Sequence, residues 1–233
     1  MIQDPYYLAP CLSNSGMSHL KLSPRHYKDA LNQSYDSPAL VFGRLFHMAV
    51  LEPEKYQEHV RVFNGDRRTK AGKEAYADLV SSGFEIISAD DADKIDAMRD
   101  SVRSEFTITG KTEIPKFWTD EDTSAACKAK ADLLQDRIVW DLKSTIGDAG
   151  GFGRAIEKYD YDRQAAFYMD GFGADGFGWI VVEKSPPYGV MLYRATPETL
   201  MRGRDKYKPL AALYAQCVLL DEWPGYSREI QYI

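Results

Sequence analysis

The sequence predicts an α/β (α+β) domain, mainly helical over residues 1–110 and sheet-containing over residues 111–233. Three observations carry that reading. Apolar residues recur at helical spacing behind serine caps in the first part, most clearly in "SPALVFGRLFHMAVLE", where Leu40, Phe42, Leu45, Phe46, Ala49 and Val50 share one wide face. From Lys111 the period shortens to two, the mark of strands. Helical segments then return between and after the strands, and no repeat, low-complexity tract or long linker divides the chain.

The elements follow in order. In "LSNSGMSHLKLSPRHYKDALN", Ser13, Ser15 and Ser23 are candidate N-caps and Pro24 suits a first helical position, so two short helices are expected. Residues 37–52 form a largely buried helix closed by Pro53. The charged stretch "NGDRRTK" leads into a further helix, and "SADDADKIDAMRDSVRSE" forms an acid-capped one with Ile95, Met98 and Val102 facing inward; both are expected at the periphery. "KTEIPKFWT", "AACKAKADLL" and "RIVWDLKST" read as a meander, and "YDRQAAFYMDGF" as a helix. "GWIVVEKS" and "GVMLYRAT" flank the turn "PPYG" as two more strands before a last helix from about Pro197 to Cys217.

Bulk properties restrict the setting more than the partner. A content of 44% hydrophobic and 27% charged residues is that of a globular protein with a substantial core. Cys11, Cys127 and Cys217 lie far apart without CxxC spacing, so they suggest packing residues in a reducing compartment. The N-terminus lacks a basic segment followed by an apolar one, and no run approaches a membrane span; a cytoplasmic protein with no membrane partner is the expectation. The net charge of −6 argues against a uniformly basic surface but permits a local basic groove.

The chemistry concentrates in "KAKADLLQDRIVWDLKST". A two-residue turn at Asp136 and Arg137 pairs Gln135 with Ile138, Leu134 with Val139, Leu133 with Trp140 and Asp132 with Asp141. The two carboxylates then become cross-strand neighbours with Cβ atoms roughly 4.5–5.5 Å apart, and Lys143 shares the face of Asp141. Such a pair calls for a cation or a shared proton. One reading is a hard divalent metal, magnesium or manganese, beside an ammonium, which suits phosphodiester hydrolysis. The other is a solvated surface salt bridge of little consequence, and spacing alone leaves both open.

These residues resemble the PD-(D/E)xK nucleases: Asp132 followed by Asp141-Leu142-Lys143, with Ala131 where that motif has proline. "GRLFHMAVLEP" is similar to the helix of RecB-like nucleases that carries a metal-binding histidine, which implies His47. "QAAFY" resembles their Gln-x-x-x-Tyr helix, which implies Gln164 and Tyr168 beside the site. "DRRTKAGKEAY" and "WPGYS" resemble segments of the RecE-type phage and prophage exonucleases. The resemblance implies a restriction-endonuclease-like core, with a central mixed sheet flanked by helices. It implies that His47, Asp132, Asp141 and the Leu142 carbonyl bind Mg²⁺, with Mn²⁺ as substitute, that Glu113 adds a carboxylate, and that Lys143 assists water attack. It further implies digestion of the 5′ strand of linear double-stranded DNA, a ring-shaped homo-oligomer (trimer or tetramer), a RecT-like annealing partner and a phage or prophage origin in a bacterial cell. The iron–sulfur branch of these nucleases uses four cysteines, against three dispersed ones here.

For each residue a plainer role stands beside the functional one. A histidine such as His47, taken alone, is more often a satisfied core residue on an apolar helix; Glu113 is equally an exposed strand residue, and Gln164 with Tyr168 the border of an amphipathic helix. Arg67, Arg68, Lys70 and Lys73 form a basic patch before a helix N-terminus, suited to a DNA phosphate or simply solvated. Lys128 and Lys130 alternate along the strand leading to Asp132 and are candidate phosphate contacts, although solvated strand lysines are the commoner case; Arg44 either reaches a phosphate or pairs with a glutamate.

Overall fold

The computed structural model describes residues 5–31, 33 and 37–227. Helices α1 (Pro5–Leu8), α2 (Asn14–Leu20), α3 (Pro24–Ala30), α4 (Pro38–Leu51), α5 (Pro53–His59), α6 (Lys70–Ser81) and α7 (Ala89–Glu105) make up the first half, with two short strands, β1 (Val60–Val62) and β2 (Glu85–Ile87), paired in parallel. Ser13, Ser23 and Ser37 accept from the backbone amides of Gly16, His26 and Leu40, satisfying donors that the first turns of α2, α3 and α4 leave open. Ser15 bonds the Ser13 hydroxyl and is not a cap.

The second half follows the expected strands closely: β3 (Lys111–Thr119), β4 (Ala126–Gln135), β5 (Ile138–Thr145), β6 (Gly176–Glu183) and β7 (Val190–Arg194), with α8 (Gly153–Lys158), α9 (Tyr161–Phe172) and α10 (Pro197–Leu220). The sheet order is β3-β4-β5-β6-β7. All pairs are antiparallel except β5–β6, whose parallel crossover carries α8 and α9, as a parallel connection requires. The hairpin has the anticipated register from Gln135 opposite Ile138 to Leu133 opposite Trp140, but the ladder ends there, so the expected Asp132–Asp141 pair is not part of it. Its turn residues Asp136 and Arg137 both have positive φ (51° and 61°), the conformation that matches strand twist in a two-residue loop. Arg137 is held there by Asp175, whose carboxylate accepts at 2.6 and 2.9 Å.

Helices cover both faces of this mixed sheet. On one side α2, α9 and α10 bury Ala129, Ala131, Val139, Phe177 and Trp179; on the other α4 and α7 bury Leu133, Trp140, Leu142 and Ile180. Helix α7 was expected at the periphery and is instead half of that second layer, with Ile95, Met98 and Val102 fully buried; α6, by contrast, buries no residue. A strand exposes alternate residues to opposite sides, yet Ala131 and Leu133 lie in opposite layers. The ladder explains this. Pairs run from Lys111↔Leu134 to Thr119↔Ala126 but skip Glu113 opposite Asp132, and Glu113 has φ of 52°, left-handed for a non-glycine residue.

The second layer's counterpart, α10, is anchored to the β3–β4 turn through Lys208, which donates to Asp120 at 2.7 Å and Asp122 at 2.6 Å. Burial alone would raise the Asp120 carboxyl, but Lys208 and Thr123 outweigh it and hold it below the ordinary range. A depressed native pKa stabilises the fold above the unfolded value and is lost as pH falls through the native one. Thermal melts should therefore show a midpoint that drops steeply below about pH 4, and Lys208→Met should flatten part of that drop. Among the described residues, no helix is long and apolar enough to cross a membrane.

Candidate metal centre and catalytic cleft

The site forms where β4 and β5 part. Their ladder ends at Leu133↔Trp140, and further along β4 the place of β5 is taken by Leu12, whose amide donates to Ala126 O and whose carbonyl accepts from Lys128 N, both at 2.8 Å. The Leu142 amide, left without a strand partner on that edge, donates to Asp132 Oδ2 at 2.8 Å. From the α4 layer His47 Nδ1 comes within 3.4 Å of the same oxygen. Glu113 completes the group: one ligand atom each from His47, Glu113 and Asp132 lie within 4.8 Å of one another.

Asp141 faces the other layer. Its Oδ1 accepts from Gln164 Nε2 at 2.7 Å, and Lys143 Nζ stands 2.7 Å from Oδ2. The lysine contact is an ion pair, and beyond it the buried Oδ2 has no hydrogen-bond partner among the described residues. Burial pushes the Asp132 carboxyl well up, with the Asp141 carboxylate adding to it. Burial and the Lys143 ammonium push the His47 imidazole below its ordinary value, which favours the neutral, ligating form. For Lys143 burial works against the charge, but Asp141 and Asp132 outweigh it and keep the ammonium. Tyr168 is raised well above the ordinary phenol, first by burial and then by Tyr6, with Gln164 acting in the opposite direction.

Residues 13–233 match the PDDEXK-like domain of unknown function (DUF3799). The chain belongs to this PDDEXK-like family. Its fold is restriction-endonuclease-like, and a crystal structure of a candidate exonuclease from Eubacterium rectale shares it: TM-score 0.61, 14% identity, over 90% of this chain and 80% of that one. A phage-related exonuclease from Haemophilus somnus 129PT aligns over 94% of this chain and all of its own, at 12% identity and a TM-score of 0.41. The curated proteins contain no match. Family and fold together support a nuclease.

The donors of the PDDEXK-like chain fit a divalent cation. A neutral imidazole and two carboxylates converge, and burial with like charge outweighs the Lys143 ammonium and disfavours ionised Asp132, which a further positive charge at the site would offset. Of the ligands inferred from sequence, His47, Asp132 and Glu113 come together and the Leu142 carbonyl faces the His47 imidazole, whereas Asp141 is engaged by Lys143 and Gln164; the Leu142 amide serves Asp132. Gln164 and Tyr168 do line up beside Asp141, one helical turn apart on α9. Sequence reasoning missed Tyr161, whose ring lies 4.9 Å from the Lys143 ammonium and stacks on Phe152. Its signal was present, three residues before Gln164 on the same helical face.

The expected phosphate contacts distribute unevenly. Lys130 lines the cleft and pairs with Glu113 at 2.7 Å; Arg44 also lines it and is bound to Glu85 at 3.0 and 3.1 Å. Lys128 is engaged elsewhere: its ammonium donates to the carbonyls of Tyr6, Tyr7 and Ala9 at 2.9, 3.4 and 2.8 Å, which uses all three of its donors and ties the N-terminal segment to β4. In the loop before α6, Arg68 is taken by Asp66 and Arg67 lies over the Tyr76 ring at 4.0 Å. Lys70 reaches Glu74 only at 3.9 Å, and Lys73 lies beside it on the exposed first turn of α6. This patch lines no part of the cleft of about 550 Å³ that contains His47, Glu113 and Asp132.

Proposed function

We propose that this chain is a metal-dependent exodeoxyribonuclease that digests the 5′ strand of linear double-stranded DNA and leaves a 3′ single strand for recombination by annealing. The observation that carries the reading is the convergence of His47, Glu113 and Asp132 at the floor of a cleft, with the Asp141–Lys143 ion pair adjoining it. Mg²⁺ is the proposed cofactor, Mn²⁺ its substitute, and the bound cation supplies Lewis acidity at the scissile phosphate. Asp132 is oriented for that role by the Leu142 amide. Lys143, kept protonated by Asp141, acts as a fixed cation against charge developing on the phosphate and not as a proton acceptor. Gln164 holds Asp141 in place, and the Tyr168 phenol stays protonated as a donor.

A ring-shaped trimer or tetramer, a single-strand annealing protein of the RecT type as partner, and residence in the bacterial cytoplasm under phage or prophage control belong to the same proposal. The test compares linear with closed circular DNA, each with Mg²⁺ and with excess EDTA. Release of nucleotides from linear DNA alone, abolished by EDTA and appearing first from a 5′ label, is the expected result. Cleavage of the circle identifies an endonuclease instead, and binding of ends without any metal-dependent cleavage a scaffold protein.

A further inference from the structure

The wall of the cleft facing α4 is aromatic. Tyr6 and Tyr7 both line it, and their rings meet nearly at right angles with centroids 5.3 Å apart. The Tyr6 ring also leans on Phe117 at 5.9 Å. Tyr7 is 69% exposed, yet the backbone beneath it is pinned by Lys128, so an exposed aromatic face is held rigidly beside the metal-binding group. Both tyrosines border the same cleft as Lys130, Glu113 and Asp132. Across the cleft α4 presents an exposed Leu40 and Gly43, beside whose Cα there is open space.

We propose that Tyr7 is a stacking surface for an unpaired nucleobase adjoining the phosphate at the carboxylate floor. The inference rests on the nuclease reading and adds the chemistry bound next to the reacting group. A cleft of about 550 Å³ is the size that accepts a small-molecule ligand, hence one or two nucleotides of a single strand and not a double helix. The cations on its walls already have acidic partners, Lys130 with Glu113 and Lys55 with Glu52 at 3.0 Å, which leaves aromatic contact as the main means of holding a base. Stacking of this kind is indifferent to sequence, since every base offers a π-face. Tyr6 buttresses the ring from the side, and Lys128 fixes both through the backbone.

The experiment uses a duplex with a short single-stranded end carrying 2-aminopurine, mixed with the full chain in Ca²⁺ to observe binding and then in Mg²⁺ to observe turnover. Wild-type protein and Tyr7→Phe should quench the fluorophore. Tyr7→Leu, a change at an exposed position checked by thermal melting, should lose the quenching and raise KM about tenfold, with a smaller effect on kcat. Quenching and KM unchanged in Tyr7→Leu overturn the stacking surface and leave the nuclease reading intact. Failure of the wild type to cleave with either Mg²⁺ or Mn²⁺ overturns both.

Discussion

Lys143→Ala should reduce the rate of metal-dependent DNA hydrolysis by about a hundredfold or more, the usual consequence of removing one preorganised group that stabilises transition-state charge. The effect should fall on kcat, because the ammonium faces developing charge while the remainder of the cleft still binds the strand. The same substitution leaves Asp141 buried, 3% exposed, without its cation. Removing one member of a buried ion pair costs about 3–5 kcal/mol, so a lower melting temperature accompanies the loss of rate. Lys143→Arg separates the two effects: it restores the charge and much of the stability, but a planar guanidinium cannot occupy the space between Asp141 and the Tyr161 ring as a compact ammonium does. Stability recovered with activity still low, measured by melting and by single-turnover cleavage, assigns Lys143 a catalytic part. Full activity in Lys143→Ala would rule that part out.

A second large effect, mainly on stability, is expected far from the cleft floor, at Gly203→Val. Here α10 crosses α9 so closely that a Cβ on residue 203 would lie 2.0 Å from the Asp162 carbonyl oxygen and 2.8 Å from the Ala166 methyl. The first is backbone inside a helix and cannot turn away. Overpacking typically costs 1–3 kcal/mol, and with a rigid neighbour about 3 kcal/mol or more is the reasonable expectation. For a chain of this size that lowers the melting temperature by about 6–12 °C. The displacement also threatens a buried network, since the Asp162 carboxylate accepts from Arg202 at 2.6 Å and Lys206 at 2.9 Å. Because α9 carries Tyr161, Gln164 and Tyr168, protein that remains folded should cleave more slowly as well. Gly203→Ala grades the effect downward, and an unchanged melting curve for it would contradict the close crossing.

The hairpin was legible in the sequence because its information is local. Period-2 patterning and one short turn specify the pairs from Gln135–Ile138 to Leu133–Trp140 and put Lys143 beside Asp141, but the ladder stops short of the Asp132–Asp141 pair that the same counting predicts. The helical crossover and the last two strands were legible for the same reason. What the sequence concealed was non-local. The partners of Lys128 are carbonyls of Tyr6, Tyr7 and Ala9, which no spacing near residue 128 announces. The stripe of Ile95, Met98 and Val102 showed that α7 buries one face, but not that the sheet itself covers it. Strands β1 and β2, three residues each, are too short to display a period. Nothing in "KTEIPKFW" signals a left-handed glutamate, because that conformation is rare outside glycine, asparagine and aspartate.

That left-handed residue has a topological consequence. A flat sheet is a partition: a side chain on one side is closed to groups on the other. At Glu113 and Asp132 both strands exchange sides in step, so the partition has a doorway there. His47 approaches through it from the α4 layer and the Asp141–Gln164 pair from the α9 layer. Deleting one residue from either strand between this point and the chain turn at Asp120–Ser124 would put the two exchanges out of step, closing the doorway while leaving most strand pairs intact.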